Sequence, residues 1–158
     1  MTGPTDMLQA RDPASLLTIA VAAARQGRSQ GGIPIGAALV ADGRLLATGH
    51  NQRVQLGSPT RHAETDALEN AGRQDASVYA RATMVTTLSP CDMCAGAVLL
   101  YKIPHVVVGE NWTFLGAEDL LRSRGVEVTV LDDAECIAMM EEFIRTEPRL
   151  WHEDIGEM

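Results

Sequence analysis

Cys91 and Cys94, in the stretch Ser89-Pro90-Cys91-Asp92-Met93-Cys94, stand three positions apart just after a proline. Such a pair serves three chemistries: a dithiol redox couple, half of a structural zinc site, or two ligands of a metal that does chemistry. Spacing alone admits all three. In the first turn of a helix, residues i and i+3 lie near one face, and the free amide hydrogens and positive helix end favour ionised thiolates. Two thiolates there are soft ligands suited to zinc.

A tetrahedral zinc needs more donors, and His62, at a second predicted helix start, offers one. It precedes Cys91 by 29 positions, too far for a zinc-finger knuckle but suited to ligands from successive strand-helix units meeting at one sheet edge. Three protein ligands leave the fourth position to water. Glu64 changes the meaning of the site. By pure helical count it points about 200° away from His62, so it is not expected to bind the same metal. At a helix mouth its carboxyl reaches a water beside the metal, whose pKa zinc lowers toward about 7, and accepts its proton.

The elements that must bring these residues together are legible in outline. Asp12-Pro13 reads as a cap and first helical position for a helix running to about Gly27. Residues 33–40 and 44–50 read as a hairpin turning at Ala41-Asp42-Gly43. A helix is predicted in 58–72, capped by Ser58 or Thr60 and holding His62 and Glu64 in its opening turn. Thr83–Thr87 reads as a strand, 89–103 as a helix, 105–109 as a strand, 116–125 as a helix, 126–131 as a strand and 132–144 as a helix. Such alternation predicts an α/β fold of three layers, α/β/α, with a mixed central sheet of about five strands. The tail after Thr146 has no period, yet Trp151 and Ile155 are costly to leave in water. It is expected to pack over the body of a single domain spanning 1–158.

Composition narrows the function. The 158-residue chain is long enough to bury roughly 68–70% of its unfolded surface without a metal as a crutch, so a bound metal is expected to serve function. Three cysteines, an odd number, fit a reducing compartment. No apolar run reaches the length of a membrane span, and residues 1–10 lack a basic, apolar leader, so a cytoplasmic location is expected. The net charge of −8 repels phosphate backbones and weighs against nucleic acid as a partner. Cys136, among apolar residues of the last predicted helix, reads as a small buried hydrophobe.

His62-Ala63-Glu64 followed by Pro90-Cys91-Asp92-Met93-Cys94 resembles the signature of the zinc-dependent nucleobase and nucleoside deaminases. The likeness extends along nearly the whole chain, through GGIPIGAALV, GHNQR, RHAETDALENAG, TTLSPCDMCAGA, VVVGENWTF and WHEDIGE, where it is closest to fungal-type cytosine deaminases. The resemblance implies the cytidine deaminase-like fold, zinc held by His62, Cys91 and Cys94, Glu64 as proton carrier, and a homodimer. It further implies that Asn51 binds the pyrimidine carbonyl, that the backbone around Ala63 and Ser89 frames the base, that Phe114 and Trp151 wall the pocket, and that Asp154 holds the exocyclic amino group. Ile155 and Ile33 are carried over as substrate contacts.

The implied reaction is cytosine to uracil plus ammonia. Trp112, Leu115, Gly116 and His152 depart from the fungal pattern and bear on the choice of base, so isoguanine, guanine and aminated s-triazines stay open as substrates. A tRNA-editing deaminase and a non-catalytic zinc-stabilised binding protein, with His50 or His105 completing the metal shell, are the rival classes.

Overall fold

The computed structural model describes residues 12–158; the leader reading on residues 1–10 lies outside them. Helix α1 (Pro13–Ser29) begins as the sequence predicts, with the Asp12 side chain accepting from the Ser15 amide at 3.1 Å. Strands β1 (Gly36–Ala41) and β2 (Arg44–His50) form the hairpin, and its turn residues Asp42 and Gly43 both take positive φ, 52° and 72°. Such a turn favours a small or Asx side chain at each position.

Then follow α2 (Ala63–Ala71), a single turn α3 (Ala76–Tyr79), β3 (Ala82–Leu88), α4 (Asp92–Leu100), β4 (His105–Glu110), α5 (Glu118–Ser123), β5 (Glu127–Val130), α6 (Ala134–Thr146) and α7 (Pro148–Asp154). The five strands lie in the order β2-β1-β3-β4-β5. β1 runs antiparallel to both β2 and β3, whereas β3-β4-β5 are parallel. The expected mixed sheet is therefore present.

Alternate residues of the central strands serve opposite faces, as the two-residue period of a strand requires. Ala38, Val40, Val85 and Val107 pack against Leu16, Leu17, Ala20 and Val21 of α1 and Cys136 of α6. On the other face Ala37, Leu39, Met84, Val106 and Val108 meet Ala63 and Ala67 of α2, Ala95 and Val98 of α4 and Leu121 of α5. These are the three layers.

Gly49 in β2 sets the position of α2. A Cβ there would stand 2.3 Å from Ala67 N and 2.6 Å from Ala63 O, so only glycine lets the helix sit this close to the strand end. Three elements differ from expectation, the first being the single turn α3, which the sequence reading did not include. Helix α2 starts at Ala63, not near Ser58, because Ser58 Oγ instead accepts the Arg61 amide within a turn at 3.1 Å. The tail without a period contains α7, begun by Pro148 and too short at seven residues to display a repeat.

Candidate active site

His62 and Cys91 occupy equivalent places. Each is the residue before the first turn of its helix, α2 or α4, with extended backbone (φ −70°, ψ 171° and φ −68°, ψ 174°), and neither side chain caps its own helix. Side chains of Ser, Thr, Asp or Asn usually fold back there to satisfy a free amide. Here they turn toward each other: Cys91 Sγ lies 3.5 Å from His62 Nδ1, and with Cys94 Sγ the three donor atoms fall within 4.8 Å of one another.

The set fits zinc. Donors about 2.0–2.3 Å from a tetrahedral zinc stand about 3.3–3.8 Å apart, which brackets the Cys91–His62 separation. His62 presents Nδ1 to Cys91 Sγ, while its Nε2 lies 3.5 Å from Asp154 Oδ1. A carboxylate on the far ring nitrogen fixes the orientation of a metal-binding histidine. His50 and His105 take no part. His50 Nδ1 contacts Asn51 O, and His105 Nε2 pairs with Thr129 Oγ1.

Charge at the site follows from these contacts. The thiol of Cys94 bonded to Cys91, together with the His62 imidazole, carries Cys91 down to about 4 despite its burial. Burial works against protonation of His62, but its bond to Cys91 and the charge of Asp154 outweigh it and hold the imidazole at about 9. The same bond to Cys91, with burial, pushes Cys94 well above the ordinary thiol value. Glu64 is 4% exposed, and burial, reinforced by the Cys91 charge, raises it to about 7.

A cavity of about 20 Å³ opens beside these groups, lined by His62, Glu64 and Cys91 and by Ile35, Leu88, Ser89, Phe114, Trp151 and Ile155. That is room for about one water. Glu64 thus faces the same space as His62, contrary to the helical count. The physical reason is that His62 lies outside the helix, so a turn of 100° per residue does not start from it. Phe114 meets Trp151 edge to face at 5.8 Å between centroids, closing the cavity from the loop before α5 and from α7.

Of the remaining residues singled out from sequence, Ser89 lines this space, whereas Asn51 and Ala63, fully buried, and Asp154, 6% exposed, are not among its lining residues. Asn51 Nδ2 donates to both Asp154 oxygens at 3.2 and 3.1 Å, and Asn51 Oδ1 accepts the Arg53 amide at 2.9 Å. One amide hydrogen and one lone pair of Asn51 remain. Ile33 is fully buried in the core, and Ile35 is the isoleucine that lines the cavity. Sequence reasoning missed Ile35, Leu88 and Arg53. The two-residue alternation that relates position 35 to 33 was the available signal for the first.

Residues 11–110 match the family model described as the cytidine and deoxycytidylate deaminase zinc-binding region. The chain belongs to this deaminase family. The deaminase is 51% identical over 142 residues to the cytosine deaminase of Candida albicans (strain SC5314 / ATCC MYA-2876), covering 89% of this chain and 95% of that one. It is 35% identical over 123 residues to a tRNA-specific adenosine deaminase of Streptococcus pyogenes serotype M18, covering 72% and 77%. Among solved structures, one from a study of A-to-I editing by tRNA deaminases at the wobble position superposes with a TM-score of 0.68 at 26% identity, covering 80% of this chain and 99% of that one. The deaminase is a zinc-dependent hydrolase, and His62, Cys91 and Cys94 are placed to hold its metal.

Proposed function

We propose that the enzyme deaminates the free base cytosine to uracil and ammonia. The observation that carries the reading is the juxtaposition of a buried Glu64 with the His62–Cys91–Cys94 donor set inside a slot closed by Phe114, Trp151 and Ile155. So narrow a slot favours a small planar base over one carrying a ribose. The 51% identity to a cytosine deaminase supports the same substrate.

Zinc, when bound by His62, Cys91 and Cys94, supplies a water acidic enough to act as nucleophile near neutral pH. Glu64 takes the proton of that water and delivers it to N3 of the ring, which makes C4 electrophilic. A carboxyl raised to about 7 exchanges protons readily in both directions. The water oxygen bonds to C4, Glu64 takes the second proton from that oxygen and gives it to the amino group, and the C4–N bond breaks to release ammonia while the C4–O bond becomes the uracil carbonyl. Asn51 uses its remaining hydrogen and lone pair on the ring carbonyl and the adjacent N–H. The backbone at Ala63 and Ser89 frames the other edge, Asp154 accepts from the amino group, and Ile33 backs Ile35 from the core.

Recovery of uracil from a free base is a salvage reaction of pyrimidine metabolism, and we place the enzyme in the cytoplasm as one domain spanning the chain. No helix among the described residues is long and apolar enough to cross a membrane. A homodimer is supported by the groove between α2, α3 and α4, where Leu100 is 70% exposed beside Tyr101. The net charge of −8 speaks against a tRNA substrate despite the 35% relative.

The test is ammonia release from a panel of cytosine, cytidine, guanine, isoguanine and aminotriazines by the zinc-loaded protein. Cytosine is expected to dominate. Turnover of cytidine without cytosine would overturn the free-base assignment, and a preference for isoguanine or an aminotriazine would move the substrate while leaving the zinc chemistry in place.

A further inference from the structure

The two oxygens of Asp154 are used unequally. Oδ1 accepts Arg53 Nε at 2.7 Å, lies 3.2 Å from Asn51 Nδ2 and 3.5 Å from His62 Nε2. Oδ2 accepts the Asn51 amide alone among the described residues, at 3.1 Å. One oxygen is crowded with donors and the other retains lone pairs.

Arg53 produces this asymmetry. Its side chain is 15% exposed while that of Asp154 is 2% exposed, so the ion pair is shielded from solvent, where a charged hydrogen bond is short and directional. The guanidinium is held in turn by Pro59 O at 3.4 Å and reaches Glu153 Oε1 at 3.4 Å. The backbone N–H of the same residue donates to Asn51 Oδ1. A single residue thereby orients both the amide and the carboxylate assigned to the substrate; like those two groups, it stands behind the residues that line the cavity.

We propose that Arg53 is a positioning residue that commits one oxygen of Asp154 and leaves the other aimed for the exocyclic amino group of the base. This rests on cytosine as substrate. A planar fork fits the task better than a point charge, because it fixes the carboxylate's rotation as well as its place. Loss of such a supporting contact costs roughly ten- to a hundredfold in function.

The experiment compares Arg53→Gln and Arg53→Lys with the parent enzyme in the zinc-loaded state, measuring zinc content, kcat and KM for cytosine, and inhibition by pyrimidin-2-one, which has the ring and carbonyl but no amino group. Arg53→Gln is expected to lower kcat/KM for cytosine by roughly ten- to a hundredfold, to keep its zinc, and to bind pyrimidin-2-one within about threefold of the parent, with Arg53→Lys falling between. In an Asp154→Asn background the Arg53→Gln change should add little, because its target is already gone. Equal losses for cytosine and pyrimidin-2-one, or losses that multiply in the double variant, would reduce Arg53 to a structural tie and overturn the proposal. An unchanged kcat/KM in Arg53→Gln would overturn it as well. Failure of the parent itself to release ammonia from cytosine would instead overturn the substrate reading, and the amino-group role of Asp154 with it.

Discussion

The metal side of the active site and its cover are built by different means. His62 and Cys91 are placed by backbone: each sits at the mouth of a helix packed on the sheet, and Gly49 lets α2 approach β2 without a Cβ between them. The cover, formed by residues 111–117 and α7, is fastened by side chains. Glu110 accepts from the amides of Trp112 and Thr113 and from the Thr113 hydroxyl; Glu118 accepts from Ser89 Oγ at 2.6 Å and Asn111 Nδ2 at 3.2 Å; Trp151 and Phe114 meet edge to face. Chemistry rests on the placement of helix ends against the sheet, and substrate fit rests on side-chain contacts between loop and tail.

Removing a reacting group on the metal side should have the largest effect. Glu64→Gln is expected to retain zinc and lose about 10²- to 10⁴-fold in kcat, the range for a positioned proton carrier, whereas His62→Ala should lose both zinc and activity. Metal analysis alongside ammonia release separates the two. A Glu64→Gln enzyme within tenfold of the parent would mean that another group carries the proton.

A change to the cover should affect stability and substrate fit together. Trp151 is 4% exposed and belongs to the main core as well as to the slot. Trp151→Ala should cost about 3–5 kcal/mol in denaturant unfolding, as large-to-small core changes do, and raise KM while zinc content holds. Loss of zinc with the tryptophan would show that the two regions are mechanically one.

The same division explains what was legible in the sequence. Histidine and cysteine are scarce in this chain, and a ligand pair at i and i+3 after a proline announces a helix mouth, so His62, Cys91 and Cys94 stood out. Alternating strands and helices disclosed the sheet and its layers, because hydrophobic periodicity survives without tertiary context. The start of α2 was misplaced because Ser58 and Thr60 look like caps, and only the fold reveals that Ser58 closes a separate turn. Helix α7 was too short to display a period. Asp154, Arg53 and Glu118 are charged residues near loops or ends, a pattern that describes solvated surface in most chains. Their burial depends on residues far away in sequence, as between Arg53 and Asp154 or Ser89 and Glu118.

Ser89 offers the finest cut between the two regions, since its backbone and side chain belong to different ones. The hydroxyl donates to Glu118 Oε2 at 2.6 Å and accepts the Gly116 amide at 2.9 Å, so it joins the strand end preceding the Cys91 turn to the loop that carries Phe114. Gly116 itself packs so closely that a Cβ would stand 1.9 Å from Pro90 O; the loop has no room to adjust inward. Ser89→Ala strips a buried carboxyl oxygen and a backbone amide of their partner, at a cost of about 1–3 kcal/mol. The backbone beside Cys91 keeps its bond from Ser89 N to Glu110 O, so zinc content and kcat should stay near those of the parent while KM for cytosine rises as Phe114 loses its fixed place. Steady-state kinetics with metal analysis gives the answer. A fall in kcat or in zinc at unchanged KM would mean that the hydroxyl supports the metal turn rather than the cover, and the boundary between the two regions would have to be moved to include it.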